Sequence, residues 1–142
     1  MAATFDELVE LSHDAWGVFI TGDPRPAQAL YSHLPDVSNA NPFGPVVLGF
    51  DACAATMDRA AGFYREGTVV GFDTLVKVVN DDLGLLVETE KYSIKVGGAD
   101  EYSSVVFRAT SVFRREDDGW TIFHRHADPI VTVRGADSVI QS

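Results

Sequence analysis

The sequence predicts an α+β fold in which N-terminal helices pack on a strongly curved, mostly antiparallel sheet. Apolar residues recur at helical spacing in the first half of the chain, whereas from Thr68 onward they alternate with a period of two. Short turns rich in Asn, Asp and Gly separate successive runs of the second kind. Strands joined by short turns pair antiparallel, so these runs predict a four-stranded meander that follows the helices.

The first helix is predicted over residues 4 to 20, with Thr4 as its N-cap. The apolar residues at helical spacing are Phe5, Leu8, Val9, Leu11, Ala15, Trp16 and Phe19. Gly22-Asp23-Pro24 ends this helix, because glycine and proline interrupt the helical backbone. Residues 25 to 33 predict either a second short helix or a segment that leads directly into a strand.

A fixed loop and a further helix complete the first half of the chain. Two prolines flank Phe43-Gly44 and predict a rigid loop, which a short strand from Val46 to Leu48 follows. Apolar residues then share one stripe from Phe50 to Tyr64. This stripe predicts a helix from about Phe50 to Arg65 that Gly67 ends.

Four strands and a tail make up the remainder. The strands are predicted at 68–79, 85–96, 105–115 and 120–128, and residues 130–142 are expected to form a loose C-terminal tail. No internal repeat or linker interrupts the chain, and its 142 residues suit one folded unit. We therefore expect a single domain over residues 1–142.

The composition limits the classes of partner. The formal net charge is −10 and the isoelectric point about 4.6, which disfavours binding to nucleic acid or to an anionic membrane surface. A single cysteine, Cys53, excludes a disulfide within the chain and suits a small buried residue. The first residues show no basic segment followed by an apolar run, so a cytoplasmic protein without a signal peptide is expected.

The densest polar cluster is His124-Arg125-His126 with Asp128, at the end of the last predicted strand. Buried ionisable groups are costly unless they are paired, so this cluster predicts a binding or catalytic site. Alternation makes Arg125 the single charge on a small, apolar strand face, where a guanidinium can anchor a carboxylate or an enolate. The alternative is a structural ion pair with Asp36 or Asp73.

Alternation along the late strands predicts two faces. The pocket face is predicted to hold Phe107, Ala109, Ser111, Phe113, Phe123, Arg125 and Ala127. The outer face is predicted to hold Val106, Arg108, Thr110, Val112, Trp120, Ile122, His124 and His126, with Glu88, Glu90 and Tyr92 from the preceding strand. Because the outer set is strongly aromatic, we expect a homodimer built on Arg108, Thr110, Trp120, His124 and Glu90.

His126 and Asp36 are the candidate catalytic residues, because an imidazole is the usual general base near neutral pH and a carboxylate can assist it. His124 and His126 point to the same side of their strand, a spacing that also suits two metal ligands. No convincing third ligand accompanies them, and pairing with Glu88 or Glu90 is the alternative for both. We predict no metal and no cofactor.

The candidate ligand-binding residues come from the first helix, the loop and the last two strands. They are Trp16, His33, Asn39, Phe43, Ser111, Phe123 and Arg125. His33 and Asn39 lie near the Pro-Phe-Gly loop, where ligand contact and hydrogen bonding to the turn backbone are both open. Trp16 and Phe43 are expected in the core, with some of the aromatic residues lining an apolar pocket wall.

Four segments carry a resemblance to a known family. They are the turn at Asp23, the stretch from Tyr31 to Gly44, the helix start Gly49-Phe50-Asp51, and the last hairpin from Arg108 to Asp128. Over residues 5 to 130 the chain resembles the NTF2-like superfamily, and within it the SnoaL-like and ketosteroid-isomerase-like bacterial proteins. The resemblance implies a cone-shaped NTF2-like fold whose sheet curls around the helices and leaves a pocket at its open end.

The chain departs from the patterns of individual activities in this superfamily. The steroid isomerases use an Asp base with a Tyr and a protonated Asp, and no such trio is evident around Tyr31. The Asp-Arg-Asp set of the epoxide hydrolases is represented only by Arg108 and Asp128. The paired arginines of the kinase association domains correspond to Ser111 and Ala127.

The sequence therefore predicts a small-molecule pocket protein. The leading hypothesis is a cofactor-independent isomerase, cyclase or dehydratase acting on a compact, apolar substrate with a carbonyl or carboxylate. The alternative is a non-catalytic ligand-binding or association module, because one fold hosts many functions. A catalytic pair beside the pocket favours the enzyme, and a pocket filled by side chains favours the module.

Overall fold

The computed structural model describes residues 2–141 and confirms the predicted α+β fold. The helices are α1 Phe5–Phe19, α2 Arg25–Gln28 and α3 Phe50–Ala61. The strands are β1 Ser38–Ala40, β2 Val47–Leu48, β3 Tyr64–Val79, β4 Leu83–Val96, β5 Ser103–Glu116 and β6 Gly119–Asp128. A short 3-10 helix, Ala136–Val139, lies in the C-terminal tail.

These strands form one sheet in the order β2-β1-β6-β5-β4-β3. β3 to β6 make the predicted antiparallel meander, whereas β1 runs parallel to β6 and places Asn39 beside Arg125. The pairing of β3 with β4 shifts its register at three places. Bulges of this kind bend a strand and increase its twist, so they curve this side of the sheet around the helices.

The first helix packs on the concave face of the sheet. The Thr4 hydroxyl accepts a hydrogen bond from the Glu7 backbone N–H at 3.1 Å and caps α1 as predicted. The buried residues of α1 are Phe5, Leu8, Val9, Ser12, Ala15, Trp16 and Phe19. Leu11, which the pattern assigns to the same stripe, is 42% exposed because the buried stripe runs through Ser12 instead.

The helix predicted from Phe50 to Arg65 is shorter than expected. α3 ends at Ala61, and Tyr64 is the first residue of β3. Gly67 does not end a helix; it lies in a bulge of β3 and donates its backbone N–H to the Ile20 carbonyl at 3.1 Å. A side chain at this position would overlap with Ile20, so the glycine permits the close approach of β3 to the end of α1.

The face predicted for part of β4 is wrong. Alternation assigns Glu88, Glu90 and Tyr92 to the outer face, but all three are buried on the inner face. Glu90 lies opposite Phe107 and Glu88 opposite Ala109 in the β4–β5 ladder, and residues opposite each other in an antiparallel pair point to the same side. Alternation within one strand does not fix its register with the next, which explains the error.

A bulge in β6 explains a second error in the predicted faces. Phe113 pairs with Ile122 but Val112 pairs with His124, so Phe123 is an extra residue that has no partner in β5. The bulge interrupts the alternation on which the prediction depends. As a result Ile122 is completely buried, while Phe123 is only half-buried and lies off the inner face.

The predicted dimer surface loses two of its members. Trp120 and Glu90 are both buried within the protomer, so neither is available to contact a second copy. Arg108 is exposed, and Thr110 and His124 are half-buried. The homodimer therefore stays a prediction without the aromatic surface that motivated it.

The C-terminal segment after β6 lies on the outside of the domain. Asp128 accepts a hydrogen bond from the Ile130 backbone N–H at 2.9 Å, and the side chains of the 3-10 helix are exposed. Within residues 2–141, no helix has the length and apolar character that crossing a membrane requires.

We expect Gly84→Ala to destabilise the fold, because a methyl group there would overlap with the ring of Phe5. That ring is buried against Phe113 and Trp120, at centroid distances of 5.5 and 5.9 Å, so moving it would disturb both contacts. Overpacking of this kind costs about 1–3 kcal/mol of unfolding free energy, which urea denaturation would measure. Gly71→Ala is the control, since no atom lies within 4 Å of the added methyl; equal losses in both variants would contradict the prediction.

Candidate functional site

A cavity that is open on one side lies between α1, α3 and the inner face of the sheet. Its volume is about 40 Å³, by the measure in which one ordered water takes roughly 10–15 Å³. Most of its wall is apolar: Trp16, Phe19, Ile20, Met57, Ala60 and Phe107. The inner space therefore has room for a few waters or for a group of a few heavy atoms, and a six-membered ring would extend from it into the opening of the cavity.

The loop after β1 supplies the outer part of the cavity wall. Asn41 and Pro42 are only half-buried, whereas the other lining residues are buried, so the opening lies beside these two. Asn41 Nδ2 donates to the hydroxyl of Thr56 at 2.9 Å, and Arg59 donates to the Phe43 carbonyl at 2.9 Å. Both contacts hold the loop against α3.

A buried ion pair spans the inner end of the cavity. Arg125 on β6 donates from both terminal nitrogens to the two carboxylate oxygens of Glu90 on β4, at 2.7 and 2.8 Å. The two side chains are 9% and 0% exposed. The guanidinium carbon lies 3.8 Å from the centroid of the Trp16 ring, a cation–π contact that joins the pair to α1.

Arg125 and Tyr92 both keep their protons in this network. Burial alone would lower the pKa of the Arg125 guanidinium, but the charge and hydrogen bonds of Glu90 outweigh burial and raise that pKa. Tyr92 donates its hydroxyl to Glu90 Oε1 at 2.9 Å. Burial, and then the charge of Glu90, raises the pKa of Tyr92, so its hydroxyl keeps the proton that it donates.

A second polar pair lies beside the first. The Tyr31 hydroxyl donates to Asn39 Oδ1 at 2.6 Å, and burial raises the pKa of Tyr31. Asn39 and Tyr64 are 2% and 5% exposed and both line the cavity. Within residues 2–141, neither Asn39 Nδ2 nor the Tyr64 hydroxyl bonds another protein group, and since no fully buried side-chain polar atom lacks a partner, both must be open to water. These two groups are therefore available to a ligand.

Three of the predicted ligand-binding residues line this cavity. Trp16, Asn39 and Arg125 are all part of its wall. Ser111 lies beside Arg125 on the inner face and is buried, but it is not part of the wall. Phe43 lies behind Tyr64, with their ring centroids 5.9 Å apart.

The other predicted site residues lie away from the cavity. Phe123 packs its ring against Arg114 on the outside of the sheet, 4.2 Å from the guanidinium carbon. His33 is exposed and stacks on Phe50 with ring centroids 3.8 Å apart. His126 is exposed on the outer face, with Nε2 3.0 Å from a carboxylate oxygen of Asp128.

The expected partners of Arg125 are also elsewhere. Asp36 is exposed and accepts two hydrogen bonds from Arg114, at 2.7 and 2.8 Å. These bonds lower the pKa of Asp36. Asp73 binds Lys91 at 2.8 Å. The cavity therefore contains neither of the predicted catalytic residues, Asp36 and His126, and the ion pair of Arg125 is with Glu90.

Four residues of the site were not predicted in this role. Glu90 and Tyr92 were assigned to the wrong face, and Tyr64 was assigned to a helix rather than to the first position of β3. No simple sequence pattern links Tyr31 to Asn39, although both lie in the segment that carries the family resemblance. A signal for Glu90 existed in the sequence. The single charge of Arg125 on an apolar strand face requires a carboxylate partner, and Glu90 is a carboxylate that precedes the aromatic Tyr92 by two residues, on the same side of its strand.

Among residues 2–141, no group of three or more His, Cys, Asp or Glu side chains is arranged to hold a metal ion. A separate pair lies where β1 meets β6. There the Ser38 hydroxyl and His124 Nδ1 are hydrogen-bonded at 2.7 Å. The absence of a metal and of a cofactor stays a prediction.

Comparison with protein families assigns most of the chain. Residues 9–132 match the SnoaL-like domain. The chain belongs to the SnoaL-like family. This agrees with the resemblance seen in the last hairpin and in the segments before it, and the SnoaL-like match covers all six strands of the sheet. No curated protein matches this SnoaL-like chain.

Solved structures share the fold of this SnoaL-like chain. A candidate dehydratase of the NTF2-like family from Streptomyces avermitilis is 24% identical, covers 89% of this chain and 96% of its own, and has a TM-score of 0.71. A ketosteroid isomerase-like protein from Erwinia carotovora atroseptica is 14% identical, with coverage of 91% and 100% and a TM-score of 0.70.

A third similar structure carries a different kind of description. It is a candidate calcium/calmodulin-dependent protein kinase type II association domain from Thiobacillus denitrificans, 18% identical, with coverage of 92% and 98% and a TM-score of 0.72. At these identities the likeness shows the NTF2-like fold alone. The three descriptions differ, so this fold does not by itself specify the function of the SnoaL-like chain.

We expect Arg125→Ala to lower the unfolding free energy by about 3–5 kcal/mol, because it leaves the Glu90 carboxylate buried without its cation. Urea denaturation would measure the loss. The double variant Arg125→Met with Glu90→Gln should recover part of it, since no lone charge then remains inside. Arg108→Ala is the control: it breaks a pair with Asp128 in which the arginine is 56% exposed, and such pairs contribute about 0–1 kcal/mol. An equally small loss in Arg125→Ala would contradict a structural role for the buried pair.

Proposed function

We propose that this chain binds a compact, mostly apolar small molecule through a carbonyl or carboxylate oxygen. The observation that carries the proposal is a mostly apolar cavity whose wall includes two donor groups, on Asn39 and Tyr64, that bond no other protein group within residues 2–141. Ligand pockets combine an apolar wall with a few convergent polar groups in this way. No fully buried side-chain polar atom among residues 2–141 lacks a partner, so water must reach these two groups, and a ligand oxygen would replace that water.

The reaction class that we propose is a cofactor-independent isomerase, cyclase or dehydratase step. Donors aimed at a carbonyl oxygen stabilise the negative charge that develops there when a neighbouring carbon loses a proton. Glu90 is the carboxylate that lines the cavity, and Tyr92 bonds it. The descriptions of the dehydratase-like and ketosteroid isomerase-like structures support this class by analogy of fold only.

A non-catalytic ligand-binding or association module is the second candidate. The observation that favours it is that Arg125 and Tyr92 engage both oxygens of Glu90. Both oxygens of this carboxylate are therefore already engaged by donors of the protein, and neither is left to take a proton from a ligand. The homodimer, and the absence of nucleic-acid and membrane partners, also stay predictions.

We expect the protein to bind cyclohexanone, a compact ring with one carbonyl oxygen, and to lose this binding in Ala60→Leu. Ala60 lines the cavity and is 2% exposed, so a leucine there would fill the space that the ring needs. Titration followed by two-dimensional NMR would measure both affinities, with retained dispersion of the spectrum as the test of folding.

Ala55→Leu is the matched control for this experiment. Ala55 lies on the exposed side of the same helix, so its replacement should leave ring binding unchanged. Binding that survives in Ala60→Leu, or that is absent from the wild type, would contradict the proposed cavity function.

Catalysis is separated from binding by exchange of the ring α-protons for deuterium. In D₂O an enolising enzyme would accelerate loss of the cyclohexanone α-proton signals over buffer, and Glu90→Gln would abolish the acceleration. Binding without any acceleration would support the non-catalytic module and remove the isomerase, cyclase and dehydratase classes from consideration for this probe.

A further inference from the structure

The Tyr31–Asn39 pair fixes which end of the Asn39 amide faces the cavity. The Tyr31 hydroxyl carries one proton, and the structure gives it one acceptor, Asn39 Oδ1 at 2.6 Å. If the amide were reversed, Nδ2 would donate to the hydroxyl, and the hydroxyl proton would have no acceptor in the described part of the chain. Burial raises the pKa of Tyr31, so the hydroxyl keeps its proton at ordinary pH. The Asn39 N–H donors are therefore the end left for a ligand.

The sheet holds Asn39 in place from the other side. In the parallel β1–β6 ladder, Asn39 is in register with Arg125, and Asn39 is only 2% exposed. A buried side chain on a paired strand has few rotamers available to it. A single hydroxyl contact is then sufficient to decide between the two amide orientations.

The cavity offers no free positive charge to an anionic ligand. Both terminal nitrogens of Arg125 donate to Glu90, and its flat face lies on Trp16. Among the described lining residues Arg125 is the only cation. A carboxylate entering the cavity would lose its hydration and would meet Glu90 without a cation of its own, which is a costly way to bury charge. A neutral oxygen acceptor does not carry this cost.

We infer that the cavity selects a neutral oxygen acceptor, as in a ketone or an ester, over a carboxylate because Arg125 is already paired, and that Tyr31 makes Asn39 a donor to this acceptor by orienting its amide. The inference rests on the proposed function, because it narrows the ligand class of the same cavity. Asn39 touches the ligand oxygen in this scheme, and Tyr31 is a positioning residue that acts through Asn39.

Three rings of nearly the same size test the selection: cyclohexanone, methylenecyclohexane and cyclohexanecarboxylate. The second replaces the carbonyl oxygen by a CH₂ group that accepts no hydrogen bond, and the third adds an anion. In the wild type we expect cyclohexanone to bind about tenfold more tightly than methylenecyclohexane, the contribution of one well-formed hydrogen bond. The carboxylate should bind more weakly than either neutral ring.

Two variants test the role of the pair. In Tyr31→Phe the amide loses the contact that orients it, so the affinity ratio of cyclohexanone to methylenecyclohexane should fall several-fold. In Asn39→Asp the hydroxyl contact can persist but the N–H donors are gone, so the ratio should fall several-fold, to what the Tyr64 hydroxyl alone contributes. The ratio is the decisive measurement, because a general loosening of the cavity would weaken both rings together.

Tyr102→Phe is the matched control. Tyr102 is 54% exposed and lies against Lys95 on the outside of the protein, so the same chemical change there should leave the ratio unaltered. If Tyr31→Phe fails to fold, the ratio measured in Asn39→Asp decides the inference.

The outcomes separate the inference from the function on which it rests. A ratio that stays near its wild-type value in Asn39→Asp, with both rings still bound, overturns the inference and leaves the binding function standing. Tightest wild-type binding by cyclohexanecarboxylate overturns it as well. If none of the three rings binds the wild type, the proposed function fails and the inference fails with it.

Discussion

Burial of Arg125 and Glu90 against each other is the constraint on which the interior depends. Each charge is taken out of water, and only a partner at bonding distance makes that tolerable. The two residues lie on β6 and β4, with β5 between them, so their contact requires all three strands in register. Trp16 covers the guanidinium from α1. The Arg125–Glu90 contact thus couples the meander to α1, and the apolar wall of the cavity surrounds this contact.

Much of the fold could be predicted from the sequence, because local patterns determine it. The capped first helix follows from Thr4 and the apolar spacing after it, and the meander follows from alternation and short turns. The end of α3 could not be predicted in the same way. Tyr64 continues the helical stripe by chance, while Gly67 is required by contact with Ile20, a residue distant in sequence. Long-range packing decided the local structure at this point.

The site was predicted only in part, and the physical reason is register. Trp16, Asn39 and Arg125 were recognised from residue type and strand position, and all three line the cavity. Glu90 was placed on the wrong face because the pairing of β4 with β5 depends on the turn and on packing. Phe123 was placed on the wrong face because one extra residue in β6 interrupts the alternation. Hydrogen-bond partners such as Tyr31 and Asn39 are invisible until the strands have been assembled.

The three bulges in the β3–β4 pairing have a consequence beyond the curvature that they produce. β3 is the last strand on its side of the sheet, and several of its apolar residues, among them Val70 and Leu75, are well exposed. A long, regular edge with such side chains would be a template on which other chains could add strands and form aggregates. Each bulge breaks the even spacing of the free N–H and C=O groups and twists the edge. The irregularities that shape the interior thus also protect the protein from strand-by-strand polymerisation.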